Sequence, residues 1–381
     1  MSQEFYFGKR KISKKERTFI IAEISANHLQ NYEVVEKLVK CACEAGADAI
    51  KLQTYTPDTI TINPDGVKQE IKEKYLTVEI DNPDWKGITY YDLYKKAYMP
   101  WEWHEKLIKV AKDYEIPVFS TPFDSTAVDF LEKLNVPAYK VSSFDVINIP
   151  LLKKIGLTKK PVIMSVGMAN LGEIKLAYDT LKKSGCLEIA LLHCISSYPA
   201  KYEELNLSKI KDLEEKFNVI VGFSDHSLTT DAPVMAVALG ARIIEKHITL
   251  DRKLGGPDSS FSLEPHEFKE LVEKVRELEK QRTGRSLEEL AIEYLNIRKA
   301  FGTAFYGSQG KIETQTSKAR PSIWISKNIK KGETFKEDNI KVARPGSGIP
   351  PKYFEQILGK KAKQNLDEGM PFSLDFISSY L

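Results

Sequence analysis

Residues 219–265 read VIVGFSDHSLTTDAPVMAVALGARIIEKHITLDRKLGGPDSSFSLEP. Two apolar runs, Val219–Phe223 and Arg242–Ile248, each lead into a histidine within a polar cluster. His226 closes Ser224-Asp225-His226, and His247 closes Glu245-Lys246-His247. Between them, Asp231–Leu239 has helical character. A strand–helix–strand unit this short implies parallel neighbouring strands. Both histidines then stand at the carboxyl ends of adjacent strands, on one face of the sheet. Neutral imidazole is the commonest metal ligand, and two imidazoles beside open positions suit a catalytic cation. The plainer alternative is two histidines hydrogen-bonded at strand ends.

The same beat runs outward through the chain. Strands are expected at Phe19–Ile24, Ala49–Gln53, Pro117–Ser120, Ala138–Ser142, Pro161–Val166 and Ile189–Cys194, each followed by a helical pattern. Pro265–Gln281 supplies the last helix. Eight such units predict an α/β fold, a closed (β/α)₈ barrel over residues 1–281. A doubly wound sheet is the alternative, but no GxGxxG follows the first strand. Residues 54–99 interrupt the rhythm with a long stretch rich in Asp, Lys and Tyr, which reads as a lid or binding loop. Residues 282–320 read as a linker, partly helical near 286–299. Residues 321–381 form short runs punctuated by Gly and Pro, the mark of a small β-rich domain.

Composition excludes several classes. The chain of 381 residues carries 56 basic and 53 acidic side chains, a net charge of only +3. Neither nucleic acid nor an anionic membrane is called for as a partner. The basic start (Lys9, Arg10, Lys11, Lys14, Lys15, Arg17) reads as a solvated hairpin or extension, and Glu23 interrupts the apolar run after it. No run approaches the roughly 18 apolar residues of a membrane span. Cys41, Cys43, Cys186 and Cys194 have no metal spacing, so reduced thiols in a cytoplasmic protein are expected.

Barrel sites form at the carboxyl ends of strands. The polar residues there are Glu23, Lys51, Thr121, Lys140, Ser143, Ser165, Tyr198, His226, Glu245 and His247. A lysine inside an apolar strand needs an anionic partner. Two of them beside several hydroxyls describe a cradle for an anionic, phosphate-bearing substrate. The carboxylates offer acid–base groups.

Ten stretches together resemble the sialic acid synthase family. In the barrel these are IIAEISANH (20–28), AGADAIKLQTY (45–55), FSTPFD (119–124), AYKVSS (138–143), PVIMSVGM (161–168), GFSDHS (222–227), EKHITLDR (245–252) and GGPDSSFSLEP (255–265). IKKGE (329–333) and RPGSGI (344–349) resemble the family's antifreeze-like domain. The resemblance implies condensation of phosphoenolpyruvate with an open-chain N-acetylated amino sugar, with a divalent metal, Mn²⁺ or else Mg²⁺ or Co²⁺. It implies that Lys51, Thr121, Lys140, Ser143 and Ser165 hold phosphoenolpyruvate and that His226 and His247 bind the metal. Glu23, Tyr198 and Asp258 would face the sugar, and Glu245 would serve among the catalytic carboxylates. It further implies a domain-swapped homodimer in which Arg344 reaches the partner's bound sugar.

Two positions depart from the family's pattern. Asp145 stands where a catalytic glutamate is common, and Ser196 where the N-acetylneuraminate enzymes have a sugar-contacting asparagine. The insertion ending in LYKKAYMPWEWH (93–104) resembles the pseudaminic acid branch. Its residues also read as a plain helix start, with Pro100 at the first turn and aromatics packing on the barrel. A metal-dependent hydrolase on the same barrel would want an HxH pair on the first strand, which here ends in a single His28. Phosphoenolpyruvate aldol synthases of the sugar-acid phosphate type lack the C-terminal module. A carbohydrate- or ice-binding relic would have eroded catalytic positions, and here they are filled.

Overall fold

A computed structural model describes residues 4–79, 86–280 and 296–378. Strands β1 (Glu4–Phe7) and β2 (Arg10–Ser13) form an antiparallel hairpin. Eight parallel strands follow: β3 (Phe19–Glu23), β4 (Ala49–Thr54), β5 (Val118–Pro122), β6 (Tyr139–Val141), β7 (Val162–Ser165), β8 (Ile189–Cys194), β9 (Val221–Asp225) and β10 (Ile243–His247). They close in sequence order, β10 pairing with both β9 and β3. The expected (β/α)₈ barrel is therefore present. Gly222 lets β9 sit close to β10, since a Cβ there would lie 2.3 Å from the Ile243 carbonyl oxygen.

Side chains alternate along a strand, so one set faces the helices and the other the lumen. Ile20, Ala22, Ile50 and Leu52 pack outward under the helices. Phe19, Ile21, Ala49, Phe119 and Ile243 point inward at the amino end, where Phe5, Phe7 and Ile12 of the hairpin plug the lumen. The basic start is a hairpin as expected, but its apolar face is core rather than solvated extension. Each buried phenylalanine there contributes about 1.5–3 kcal/mol by leaving water.

The described part of the insertion carries three short helical turns and the helix Tyr90–Ala97. Residues 320–378 form a β-rich module around β11 (Ser322–Ile325) and β12 (Ile340–Ala343). Insertion and module share a small core of Ile62, Leu76, Trp324 and Ala343. Arg344 also pairs with Thr61 as an isolated parallel bridge.

Two findings modify the expected organisation. Residues 296–320, read from the sequence as linker, carry helices Ile297–Phe301 and Gly310–Thr316 packed on the barrel flank, with Ile297, Ala300 and Glu313 buried. Residues 286–295, expected to be partly helical, lie outside the described residues. In this single chain the module covers its own barrel, so Arg344 reaches the mouth in cis. Among the described residues, no helix is long and apolar enough to cross a membrane.

Candidate active site

The inward-facing set changes from apolar to polar toward the carboxyl ends. Phe19 and Ile21 give way to Glu23, Ala49 to Lys51 and Gln53, and Ile243 to Glu245 and His247. Strand registers set Glu23 beside both Lys51 and His247. The result is a charged floor buried beneath the mouth.

Glu245 lies between the two lysines. Lys51 Nζ is 3.4 Å from Glu245 Oε1 and 2.8 Å from Glu23 Oε2, while Lys140 Nζ is 3.9 Å from Glu245 Oε2. Lys51 also donates to Thr121 Oγ1 at 3.3 Å, and Lys140 to Ser165 Oγ at 2.7 Å. Ser224 Oγ donates to Glu245 Oε1 at 3.0 Å. Burial pulls the Lys51 ammonium down, but Glu23 and Glu245 outweigh it and hold Lys51 above its ordinary value. For Lys140 burial outweighs the more distant Glu245, with the Lys51 charge adding to the loss, and lowers it to about 8. The carboxylates split in the opposite sense. Burial pushes Glu23 up, with Lys51 only partly offsetting it, whereas Lys140 and Lys51 together overcome burial and hold Glu245 down. Paired titratable groups driven apart in this way mark functional sites.

The histidine rings face each other with centroids 5.3 Å apart. The His226 Nδ1 atom lies 2.7 Å from the Ile195 carbonyl oxygen, to which it donates as the Nδ1–H tautomer, leaving Nε2 with its lone pair. His247 Nδ1 is buried without a hydrogen-bond partner. Burial lowers His226 to about 4 and holds His247 well below its ordinary value, so both are neutral at pH 7. Among the described residues, no group of three or more His, Cys, Asp or Glu gathers as a metal cage. Two neutral imidazoles, one of them with a fixed tautomer, fit as ligands of a divalent cation that would keep its other positions open.

A cavity of about 170 Å³ lies above this floor. Lys51, Lys140, Ser143, Ser165, Tyr198, His226, Glu245, His247, Asp258 and Arg344 all line it, so ten of the expected residues converge. Ser25 donates to Asp258, and Gln53 Nε2 donates to Ser25 Oγ and to Glu23 Oε1, each at 2.9 Å. The upper wall is apolar and aromatic, with Tyr55, Leu93, Tyr94, Ala97, Phe123 and Phe144. Arg344 crosses from the module with its guanidinium carbon 4.5 Å from the Phe144 ring centroid and 5.0 Å from that of Phe123.

Four expected residues stand behind the wall. Glu23 is fully buried and holds Lys51 and Gln53, and Thr121 supports Lys51. Ser196 was expected to touch the sugar, but it is fully buried, its hydroxyl 3.1 Å from Ser143 Oγ. Asp145, expected as catalytic, is engaged by Arg344 and accepts from Ser142 Oγ at 2.6 Å, which makes it an anchor. Trp101 and Trp103 do not reach the cavity. Trp101 packs on Phe130 and donates to the Tyr55 carbonyl, while Trp103 packs on His28 and Tyr32.

Sequence reasoning missed Ser25, Gln53 and Ser224, although strand alternation from Lys51 points to Gln53 and the pairing of Glu245 with the neighbouring strand points to Ser224. It also missed Tyr94, Phe144, Thr316 and Ala319, which come from segments without barrel periodicity.

The NeuB family model matches residues 38–286, and the SAF domain model matches residues 320–378. The chain is 40% identical to the pseudaminic acid synthase of Campylobacter jejuni serotype O:2, over 93% of this chain and 94% of that protein. It is 36% identical to the N,N'-diacetyllegionaminic acid synthase of the same organism, over 92% of this chain and 98% of that one. The crystal structure of the spore coat polysaccharide biosynthesis protein spsE from Bacillus subtilis superposes with a TM-score of 0.80, at 31% identity, over 99% of both chains.

Proposed function

The chain belongs to the NeuB family and is a sialic acid-type synthase, and we propose that it is specifically a pseudaminic acid synthase. The reaction joins phosphoenolpyruvate, 2,4-diacetamido-2,4,6-trideoxy-altropyranose and water into a nine-carbon 2-keto sugar acid and phosphate. The observation that carries the reading is the division of the cavity. Its floor holds two buried lysines with hydroxyls, and its upper wall is apolar and aromatic.

Lys51 and Lys140, with Ser143 and Ser165 beside them, bind the phosphate and carboxylate of phosphoenolpyruvate by charge-assisted hydrogen bonds. Glu23 and Thr121 hold Lys51 from behind. His226 and His247 would hold a divalent metal, preferably Mn²⁺, which when bound would supply Lewis-acid activation of the sugar aldehyde. The enol carbon forms the new bond to the aldehyde carbon. Water adds at the former enol C2, and phosphate leaves with its bridging oxygen by C–O cleavage. Glu245, held ionised between the lysines, is the carboxylate placed to take a proton from that water. Asp258 and Tyr198 meet the sugar's hydroxyls, and Arg344 closes over its far end. The acceptor lacks a hydroxyl at C6 and carries two acetamido methyls, so Leu93, Ala97 and the aromatic wall suit it. The 40% identity to a pseudaminic acid synthase, above the 36% to the legionaminic enzyme, points the same way.

The test incubates the protein with phosphoenolpyruvate, Mn²⁺ and a panel of N-acetylated hexoses, and identifies products by mass. The di-N-acetylated altrose is expected to turn over best. Efficient use of N-acetylmannosamine, with none of the altrose, overturns the acceptor assignment in favour of N-acetylneuraminate synthesis. Preference for the epimeric di-N-acetylated sugar would make it a legionaminic acid synthase.

A further inference from the structure

One peptide group joins the metal-side histidine to a buried carboxylate that the mechanism above does not use. The Ile195 carbonyl oxygen accepts from His226 Nδ1 at 2.7 Å. The N–H of the same planar peptide unit belongs to Ser196, and it donates to Glu313 Oε1 at 2.8 Å. The other oxygen, Oε2, accepts from the Gln309 N–H at 2.6 Å. Glu313 is 1% exposed and sits on the helix Gly310–Thr316, outside the barrel. Burial pushes its carboxyl up, while the two backbone N–H groups and Lys209 pull it back. Both oxygens act as acceptors, as those of an ionised carboxylate do.

We propose that Glu313 is a positioning residue for metal binding, acting on His226 through the Ile195–Ser196 peptide. The inference rests on the metal reading of His226 and His247. Metal-ligating histidines commonly donate their second N–H to a carboxylate or a backbone carbonyl, which fixes the tautomer and raises the basicity of the ligating nitrogen. Here the carbonyl makes that contact, and the carboxylate acts one group further out. Negative charge at the amide N–H polarises the peptide and strengthens its carbonyl as an acceptor. The loop is also fastened at its far end, where Ala200 N–H donates to the His226 carbonyl at 3.0 Å. Glu313 thereby holds the peptide plane against which the imidazole is set. It also belongs to the piece of chain that leads into the C-terminal module.

Mn²⁺ affinity of the full-length protein, measured calorimetrically or from the free Mn²⁺ paramagnetic signal, tests this without reference to turnover. Glu313→Gln is expected to bind Mn²⁺ roughly 10- to 100-fold more weakly. Its melting temperature and its metal-free affinity for phosphoenolpyruvate should stay native. His226→Ala serves as the reference. If that variant retains native Mn²⁺ affinity, the metal reading itself fails. If it loses Mn²⁺ while Glu313→Gln keeps native affinity, only the present inference fails. Joint loss of Mn²⁺ affinity, phosphoenolpyruvate affinity and melting temperature in Glu313→Gln would mark Glu313 as a loop anchor and overturn the proposal. A variant-free reading comes from ¹⁵N-histidine spectra of the native protein. They should show His226 as the Nδ1–H tautomer, and an Nε2–H tautomer would overturn the proposal.

Discussion

Arg344 and Asp145 meet across the junction of module and barrel, Nη2 to Oδ2 at 3.0 Å, with both side chains less than a tenth exposed. Asp145 is thereby committed to holding an arginine that comes from nearly two hundred residues away. Burial opposes the Arg344 charge, but Tyr94 and Asp145 hold it firmly protonated.

Removing one member of such a pair leaves the other buried without compensation, a loss of about 3–5 kcal/mol. Arg344→Ala is expected to raise KM for the amino sugar far more than KM for phosphoenolpyruvate. Asp145→Asn should do the same more mildly, and the double variant should cost less than the sum of the two. Equal rises in both KM values would place Arg344 in general stability rather than over the sugar.

His226→Ala and His247→Ala are each expected to abolish turnover together with bound metal, while the circular dichroism of the barrel stays native. Chelation of the native enzyme should reproduce the loss, and added Mn²⁺ should reverse it. Full activity after exhaustive chelation would sink the metal assignment.

Lys51→Met and Lys140→Met should weaken phosphoenolpyruvate binding roughly tenfold to over a hundredfold, the loss of a charge-assisted contact worth about 1.5–3 kcal/mol. Lys140 adds a pH signature. Its folded pKa is lowered to about 8, so it is charged below that value and neutral above it. The kcat/KM for phosphoenolpyruvate, which reports the free enzyme, is therefore expected to fall as pH rises through about 8. A flat profile from pH 7 to 9.5 would show that the Lys140 charge is not needed.

We propose two-fold assembly with exchanged modules, since C₂ pairing is the commonest oligomer. Chains carrying His226→Ala and chains carrying Arg344→Ala are mixed after subunit exchange and assayed at sugar concentrations far below the KM of Arg344→Ala, where neither alone turns over. In trans, one barrel regains intact histidines under an intact arginine, and part of the activity returns. A dead mixture would fix the module on its own barrel.

The barrel was legible because period-two alternation and strand-end polarity are local signals. The same alternation carried Lys51, Lys140, Glu245 and both histidines to the correct face. Asp145 and Ser196 were misread for one reason. Their side-chain partners, Arg344 for Asp145 and Ser143 for Ser196, lie 199 and 53 residues away, and no local pattern shows that a polar residue near a mouth is already engaged. Residues 296–320 were read as linker because their burial comes from the barrel flank rather than from a repeat of their own. Trp101 and Trp103 follow the plainer reading of their stretch, aromatics that pack on the barrel.

The small core shared by Ile62, Leu76, Trp324 and Ala343 has an engineering consequence. Collar and cap are a matched lock, and neither can be replaced alone. Transplanting residues 320–378 from a relative with another acceptor would bring a foreign tryptophan seat onto an unaltered collar and leave a void or a clash at the hinge of the site. Re-targeting the acceptor therefore means moving the residue 57–79 collar, the Tyr90–Ala97 helix that lines the cavity and the cap together, as a single cassette drawn from two distant parts of the gene.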